Sequence, residues 1–240
     1  MTPPATERKK VAIITGASQG IGAGLVEAYR RAGYAVVGTS RSISSSDDPD
    51  FLTLQGDITQ AETAQRVLDE TTGRFGRIDT LINNAGLFIA KPFDEYTADD
   101  FAAVTAVNLA GFFHITQRVV RTMLLQGNGH IVNISSSLVD HANSHAVAAL
   151  TSLTKGGLAA VTRSLAIEYA SRGIRVNAVS LGVIKSPAYG PEAYEGSAAL
   201  HPIGRVGEIS DVVDGILYLE HAPFVTGEIL HIDDGMAAGH

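Results

Sequence analysis

Two rhythms of apolar and polar positions run along this chain. Short, mostly apolar runs of four to six residues, rich in β-branched side chains, occur at 11–14, 35–39, 51–54, 78–82, 130–134, 175–179 and 227–232. Between them, apolar residues return at three- and four-residue spacing, first as Leu25, Val26, Ala28 and Tyr29 and then over 61–72, 97–126, 146–171 and 209–220. The first rhythm predicts strands buried on both faces, the second amphipathic helices. Gly33 ends the first helix and Gly73 lies where the second is expected to end; 182–207, rich in Pro, Gly and Tyr, shows neither period. Strands alternating with helices, save for the loop between the second and third strands, imply an α/β fold, a parallel sheet with helices on both faces and right-handed crossovers. With no internal repeat or low-complexity break, 11–240 reads as one domain behind a loose tail at 1–10.

Composition narrows the class. At 240 residues with 45% hydrophobic content, the chain is long enough for one large α/β domain. A formal net charge of -7 leaves no electrostatic footprint for nucleic acid or an anionic membrane. Zero cysteines remove disulfides, thiol catalysis and cysteine-ligated metals together. The apolar run after Arg8-Lys9-Lys10 is too short for a secretory core and enters a glycine turn, and no run reaches membrane-spanning length. The expectation is a cytoplasmic protein.

The first candidate for chemistry is that turn. Gly16, Gly20 and Gly22 carry the chain from strand one into helix one, with Ser18, Gln19 and Ile21 between them. Glycine lets a phosphate approach the main chain, and free N–H groups at the helix start hold it. At the end of strand two stand Ser40 and Arg41, where a carboxylate would receive ribose hydroxyls and repel a 2′-phosphate. A guanidinium instead offers a phosphate a fork of donors; with the nicotinamide cofactor that the family resemblance given next implies, this favours NADP(H) over NAD(H).

Further along stand Asn83-Asn84-Ala85-Gly86, Asn108, Ser135-Ser136 after strand five, Lys155-Gly-Gly-Leu158 and Arg175-Val-Asn-Ala-Val179. Together with Thr15-Gly-Ala-Ser-Gln-Gly-Ile-Gly22, and in this order, these resemble the short-chain dehydrogenase/reductase family from Val11 to Asp233. The resemblance implies a Rossmann-type doubly wound sheet of seven strands, a nicotinamide cofactor and a homotetramer or homodimer. It implies adenine contacts at Asp57 and Ile58, further cofactor contacts at Asn84, Ala85, Gly86, Gly182 and Ile184, and a catalytic set of Asn108, Ser136 and Lys155, the lysine also holding the ribose. Leu181 and Asp234 stand where the family commonly has proline and glycine. Ser136 fits the strand-end alignment, whereas Ser137 stands nearer the family's usual separation from the next helix.

In the family a tyrosine precedes the lysine by four residues, one turn away on the same face. Here that position is Thr151. An alkyl hydroxyl lies roughly 5–6 pH units above a phenol, about 8 kcal/mol, so Thr151 is no substitute acid. The resemblance therefore implies hydride transfer to a C=O or C=N substrate with another proton source: His141, His145, Tyr189, Tyr194 or solvent, a protonated imine needing none. The alternative is a catalytically silent dinucleotide-binding or regulatory protein. No histidine spacing signals a metal site, and Ser136 with Asp140 and His141 lacks the strained elbow of a hydrolase. Residues 185–207 read as a substrate lid, and Asp211, Asp214 and Glu220 as the solvated face of the last helix. Ala159, Ala160 and Ala166 are small enough for packing against another subunit or the protein's own sheet.

Overall fold

The computed structural model describes residues 9–144, 147–187, 194 and 196–239. Seven strands, β1 (Val11–Thr15), β2 (Ala35–Ser40), β3 (Phe51–Gln55), β4 (Thr80–Asn83), β5 (Gly129–Ser136), β6 (Ile174–Leu181) and β7 (Ile229–Ile232), form one parallel sheet in the order β3-β2-β1-β4-β5-β6-β7. The order reverses between β1 and β4, and the strand ends there open a crevice of the kind in which open α/β sheets bind ligands.

Alternate residues of each strand feed two separate cores. Ala12, Ile14, Val36, Ile82, Val132 and Val179 face α1 (Gly20–Arg31) and α6 (Ile209–His221) through Leu25, Tyr29, Val212 and Ile216. Val11, Ile13, Val37, Leu81, Ile131 and Val176 face α2 (Ala61–Phe75), α4 (Phe112–Gln126) and α5 (Ala149–Tyr169) through Val67, Ile115, Val119, Met123 and Ala166. Both faces being covered, the strands show no polar alternation. Ala159 and Ala166 are buried against the protein's own sheet, while Ala160 is exposed.

Several boundaries differ from the sequence expectation. Helix α2 runs through Gly73 and stops at Gly76, whose left-handed conformation (φ 76°) lets its N–H reach Thr72 O. The ladder of β4 begins at Thr80. Ile78 is instead held at both backbone groups by the Gln126 side-chain amide, and the Asp79 carboxylate takes the Val11 N–H. The expected 97–126 helix is α3 (Ala98–Thr105) and α4 joined by a π-helical turn, Ala106–Gly111. Lys9 and Lys10 belong to the fold rather than the tail: Lys9 pairs with Asp50 at 2.5 Å and Lys10 O accepts from Ala35 N.

The late helix is corrected at one residue. Asp214 is exposed as expected, but the Glu220 side chain is only 6% exposed. Its carboxylate accepts from Tyr29 Oη, Tyr34 Oη, Thr80 Oγ1 and His130 Nδ1 at 2.8–3.1 Å. Asn177 Oδ1 accepts from Glu228 N, so its Nδ2 faces His130 Nε2, which must then be the acceptor. His130 is thus neutral and protonated on Nδ1. Arg175 closes the arrangement by donating to the carbonyls of Leu219, Glu220 and Val225 at the end of α6.

Candidate active site

The site grows from the β1–α1 turn. Gly16 and Gly20 have φ of 67° and 57°, a region that side chains resist. A Cβ on Gly22 would fall 2.2 Å from Gly16 O, and one on Gly16 would fall 2.9 Å from Asn84 Nδ2. Asn84 explains this compactness: its Nδ2 donates to Thr15 O (2.9 Å) and Gly16 O (3.2 Å). Thr15 Oγ1 completes the clasp by accepting from the N–H groups of Asn84 and Ala85. Helix α1 starts with an extended Gln19, no side-chain cap and no acidic residue in its first turn, so its first N–H groups have no intrahelical partner. Ile21 is half-buried behind that turn. Ser186 stands over it, its Oγ 3.2 Å from where a Gly20 Cβ would be.

At the end of β2, Ser40 Oγ accepts from Ser42 N, and Ser42 Oγ lies 3.4 Å from Ser18 Oγ. Arg41 is exposed; its carbonyl accepts from Gln55, and its guanidinium forms no ion pair among the described residues. Asp57 caps the turn after β3 by accepting from Thr59 N, and Ile58 abuts Gly111 of the π turn.

Across the crevice, α5 delivers Lys155 and Thr151, one turn apart on one face. Lys155 is 8% exposed, and its Nζ donates to Ile134 O at 2.7 Å. Desolvation alone pulls its ammonium down to about 8. Gly86 makes room for it: a Cβ there would lie 3.1 Å from Nζ. Asn108, on the π turn, is fully engaged, accepting from Leu87 N and donating to Leu87 O and Thr154 Oγ1. Thr154 Oγ1 lies within bonding distance of the Leu150 and Thr151 carbonyls, so the π turn, the β4 loop and α5 form one unit. Thr151 is 2% exposed and its Oγ1 has no partner among the described residues. Ser136, half-buried at the end of β5, accepts weakly from Leu138 N. Ser137 is buried with its Oγ against Met236 Sδ.

A cavity of about 550 Å³ opens beyond the ends of β6 and β7, lined by Gly182, Val183, Ile184, His201 and Ile203 among others. Leu181 extends β6 and pairs with both Ser136 and Ile232. His201, 3% exposed, uses Nδ1 toward Ser197 O and accepts from Val183 N at Nε2. Asp234 adopts φ 57° and accepts from Ile203 N, tying the C-terminal turn to the segment before α6.

Not every sequence candidate converges here. Asp140 bonds Ser180 and His231 rather than entering a triad with Ser136. Tyr194 Oη is bound to the Ser186 backbone at both N and O. His145 and Tyr189, and part of the 185–207 stretch, lie outside the described residues. Among the described residues no three His, Asp or Glu side chains could hold a metal ion, and no helix is long and apolar enough to cross a membrane. Thr154, Ser186 and His201 escaped the sequence reading, and Thr15 entered it only as the head of the glycine motif. Thr15 alone carried a local signal, as the polar end of an apolar run beside the first glycine.

Residues 16–237 match the family described as enoyl-(acyl carrier protein) reductase. The chain is 34% identical over 245 residues to the 3-oxoacyl-[acyl-carrier-protein] reductase of Thermotoga maritima, covering 95% of this chain and 97% of that one. It belongs to the short-chain dehydrogenase/reductase family. Among solved structures, ElxO with NADP bound superposes with a TM-score of 0.89 at 30% identity, over 96% of this chain and 100% of that one. A short-chain type dehydrogenase/reductase from Mycobacterium marinum gives 0.88 at 28% identity, over 97% and 98%. Family membership accounts for the glycine clasp, the Asn108 unit and Lys155 appearing together on one strand-end crevice.

Proposed function

We propose that this protein is an NADP(H)-dependent reductase of C=O or C=N substrates whose proton does not come from a tyrosine at the family position, where Thr151 stands. The observation that carries this reading is the buried, single-bonded Lys155 cation set against Gly86 at the reversal point of the sheet. The residues fit the cofactor, since the cradle of Gly16, Gly20 and Gly22 is so close-packed that a Cβ would fill it. Ser18, Gln19 and Ile21 complete the phosphate turn. Ser40 and Arg41 take the 2′-phosphate, Asp57 and Ile58 the adenine. Asn84, Ala85, Gly86 and Lys155 hold the nicotinamide riboside, with Gly182 and Ile184 at its far side. When bound, NADPH supplies a hydride.

The chain's own residues do the rest. Asn84 keeps the turn compact, Asn108 holds the β4 loop against α5, and Ser136 offers its hydroxyl to the substrate. The cavity beside Gly182 and Ile184 takes the body of a small carbonyl or imine compound. The protein works as a homodimer or homotetramer in the cytoplasm.

Two measurements test this. Arg41→Ala is expected to weaken NADPH binding about 10- to 100-fold, the worth of charge-assisted hydrogen bonds, and to leave NADH binding unchanged in a fluorescence titration. Equal losses for both would remove the 2′-phosphate assignment. Single-turnover NADPH oxidation against panels of ketones and cyclic imines is expected to find substrates. Tight NADPH binding with no turnover, unrescued by Thr151→Tyr, would favour the silent-binder reading that Thr151 itself raises.

A further inference from the structure

We infer that Lys155 is itself the acid, its ammonium giving a proton directly to the oxygen of a carbonyl substrate held by the Thr151 hydroxyl. This rests on the reductase reading above. An ammonium carries three donors. In Lys155 one goes to Ile134 O, and the other two meet no protein acceptor among the described residues. One turn back on the same helix face, Thr151 Oγ1 is buried and equally unpartnered. Buried polar groups are rarely left so, and two adjacent ones on one face point to a polar atom supplied from outside the chain. A carbonyl oxygen accepts from both.

Two other polar groups of the site are committed elsewhere. Tyr194 Oη is occupied by Ser186, and Asn108 has spent its amide on Leu87 and Thr154. The groups facing Nζ from β5, the β4 loop and the π turn are Ile134 O, Gly86 and Asn108, all neutral, and no carboxylate pairs with it. Burial without a counter-ion brings the ammonium to about 8, which suits proton donation near neutral pH.

In the step, the hydride pair that a bound reduced nicotinamide would supply makes the new C–H bond as the C=O π pair moves to oxygen. The Lys155 N–H bond breaks as the O–H bond forms, and water reprotonates the neutral amine. A quaternary iminium needs no proton, so it bypasses Lys155.

The experiment follows single-turnover rates from pH 6 to 10 for a ketone from the panel and for N-methyl-1-pyrrolinium. In the unaltered protein the ketone-to-iminium rate ratio is expected to fall tenfold per pH unit above about 8. Lys155→Arg, which keeps the charge but holds its proton, is expected to cost the ketone about 10²–10⁴-fold. Any loss of riboside contact in the variant is common to both substrates, so the acid role is read from the ketone-to-iminium ratio at saturating NADPH, which is expected to fall about 10²–10⁴-fold. Independently, ¹³Cε-lysine NMR should show one resonance titrating near 8 that is missing in Lys155→Arg. A flat ratio in the parent, equal loss for both substrates in the variant, or NADPH bound with neither compound reduced would each overturn the inference. No NADPH binding at all would instead defeat the reductase reading beneath it.

Discussion

Glu220→Ala is expected to cost about 3–5 kcal/mol in urea-unfolding experiments, the penalty of breaking a buried charge network. With whole domains stable by about 5–15 kcal/mol, this leaves a protein partly unfolded at growth temperatures. The carboxylate is the shared acceptor for two tyrosines, a threonine and a histidine, drawn from α1, the segment before β2, β4 and β5. Deleting it leaves four donors facing one another in a dry site, where each unsatisfied group costs about 1–3 kcal/mol. A loss below about 1 kcal/mol would show that water replaces the carboxylate.

The same cluster sets the acid limit. Burial pushes the Glu220 carboxyl up, but hydrogen bonds donated by His130, Tyr34 and Tyr29 outweigh it and hold the group at about 2. Burial also pulls His130 below its usual 6.5, with the Glu220 bond only partly restoring it. Both groups are depressed in the folded state, so the unfolded chain binds more protons in acid. The His130 contribution is complete above pH 6.5 and shrinks below it. The Glu220 contribution is complete above about 4.5 and is lost as pH falls toward 2. Urea midpoints are therefore expected to decline from pH 7 to pH 3, more shallowly in Glu220→Gln. An unchanged slope in that variant would assign acid sensitivity elsewhere.

Gly22→Ala is the second large effect, and it falls on the other end of the sheet. The added methyl would lie 2.2 Å from Gly16 O and 2.8 Å from Asn84 Nδ2, so the turn has to open and the Asn84 clasp has to loosen. Overpacking of this kind costs about 1–3 kcal/mol. Spent on the phosphate cradle, that is about 5- to 150-fold in NADPH affinity. Gly73→Ala is the control: it sits inside α2 with nothing within 4 Å of its Cβ position. It is expected to stabilise by up to about 1 kcal/mol and leave binding alone. If Gly22→Ala bound NADPH normally, the cradle would lie elsewhere.

The site was legible where chemistry is written in consecutive residues. Gly16, Gly20 and Gly22 need positive φ or a missing Cβ, and both are local demands. Arg41 follows its strand directly, and Lys155 sits in a run of family residues. Thr154, Ser186 and His201 were not legible, because each acts on partners brought close by the fold: Asn108, the α1 turn and Val183. The π turn between α3 and α4 leaves the 97–126 periodicity nearly intact, so it reads as one helix until Asn108 is seen holding Leu87.

By itself, then, the chain's order of residues determined the alternation of strands and helices, the phosphate turn, the strand-two cation and the lysine with threonine one turn before it. Periodicity and glycine conformation act over a few residues, and a single sequence displays them openly. Folding decided which polar groups lost their water. Glu220 reads as a surface residue on α6 until Tyr29 and Tyr34, nearly two hundred positions earlier, close over it. The sequence marks Lys155 as the family lysine, but only the fold shows that Ile134, Gly86 and Asn108 enclose it without a counter-ion. Desolvation depends on every element packed around a group, and no window of sequence contains them all.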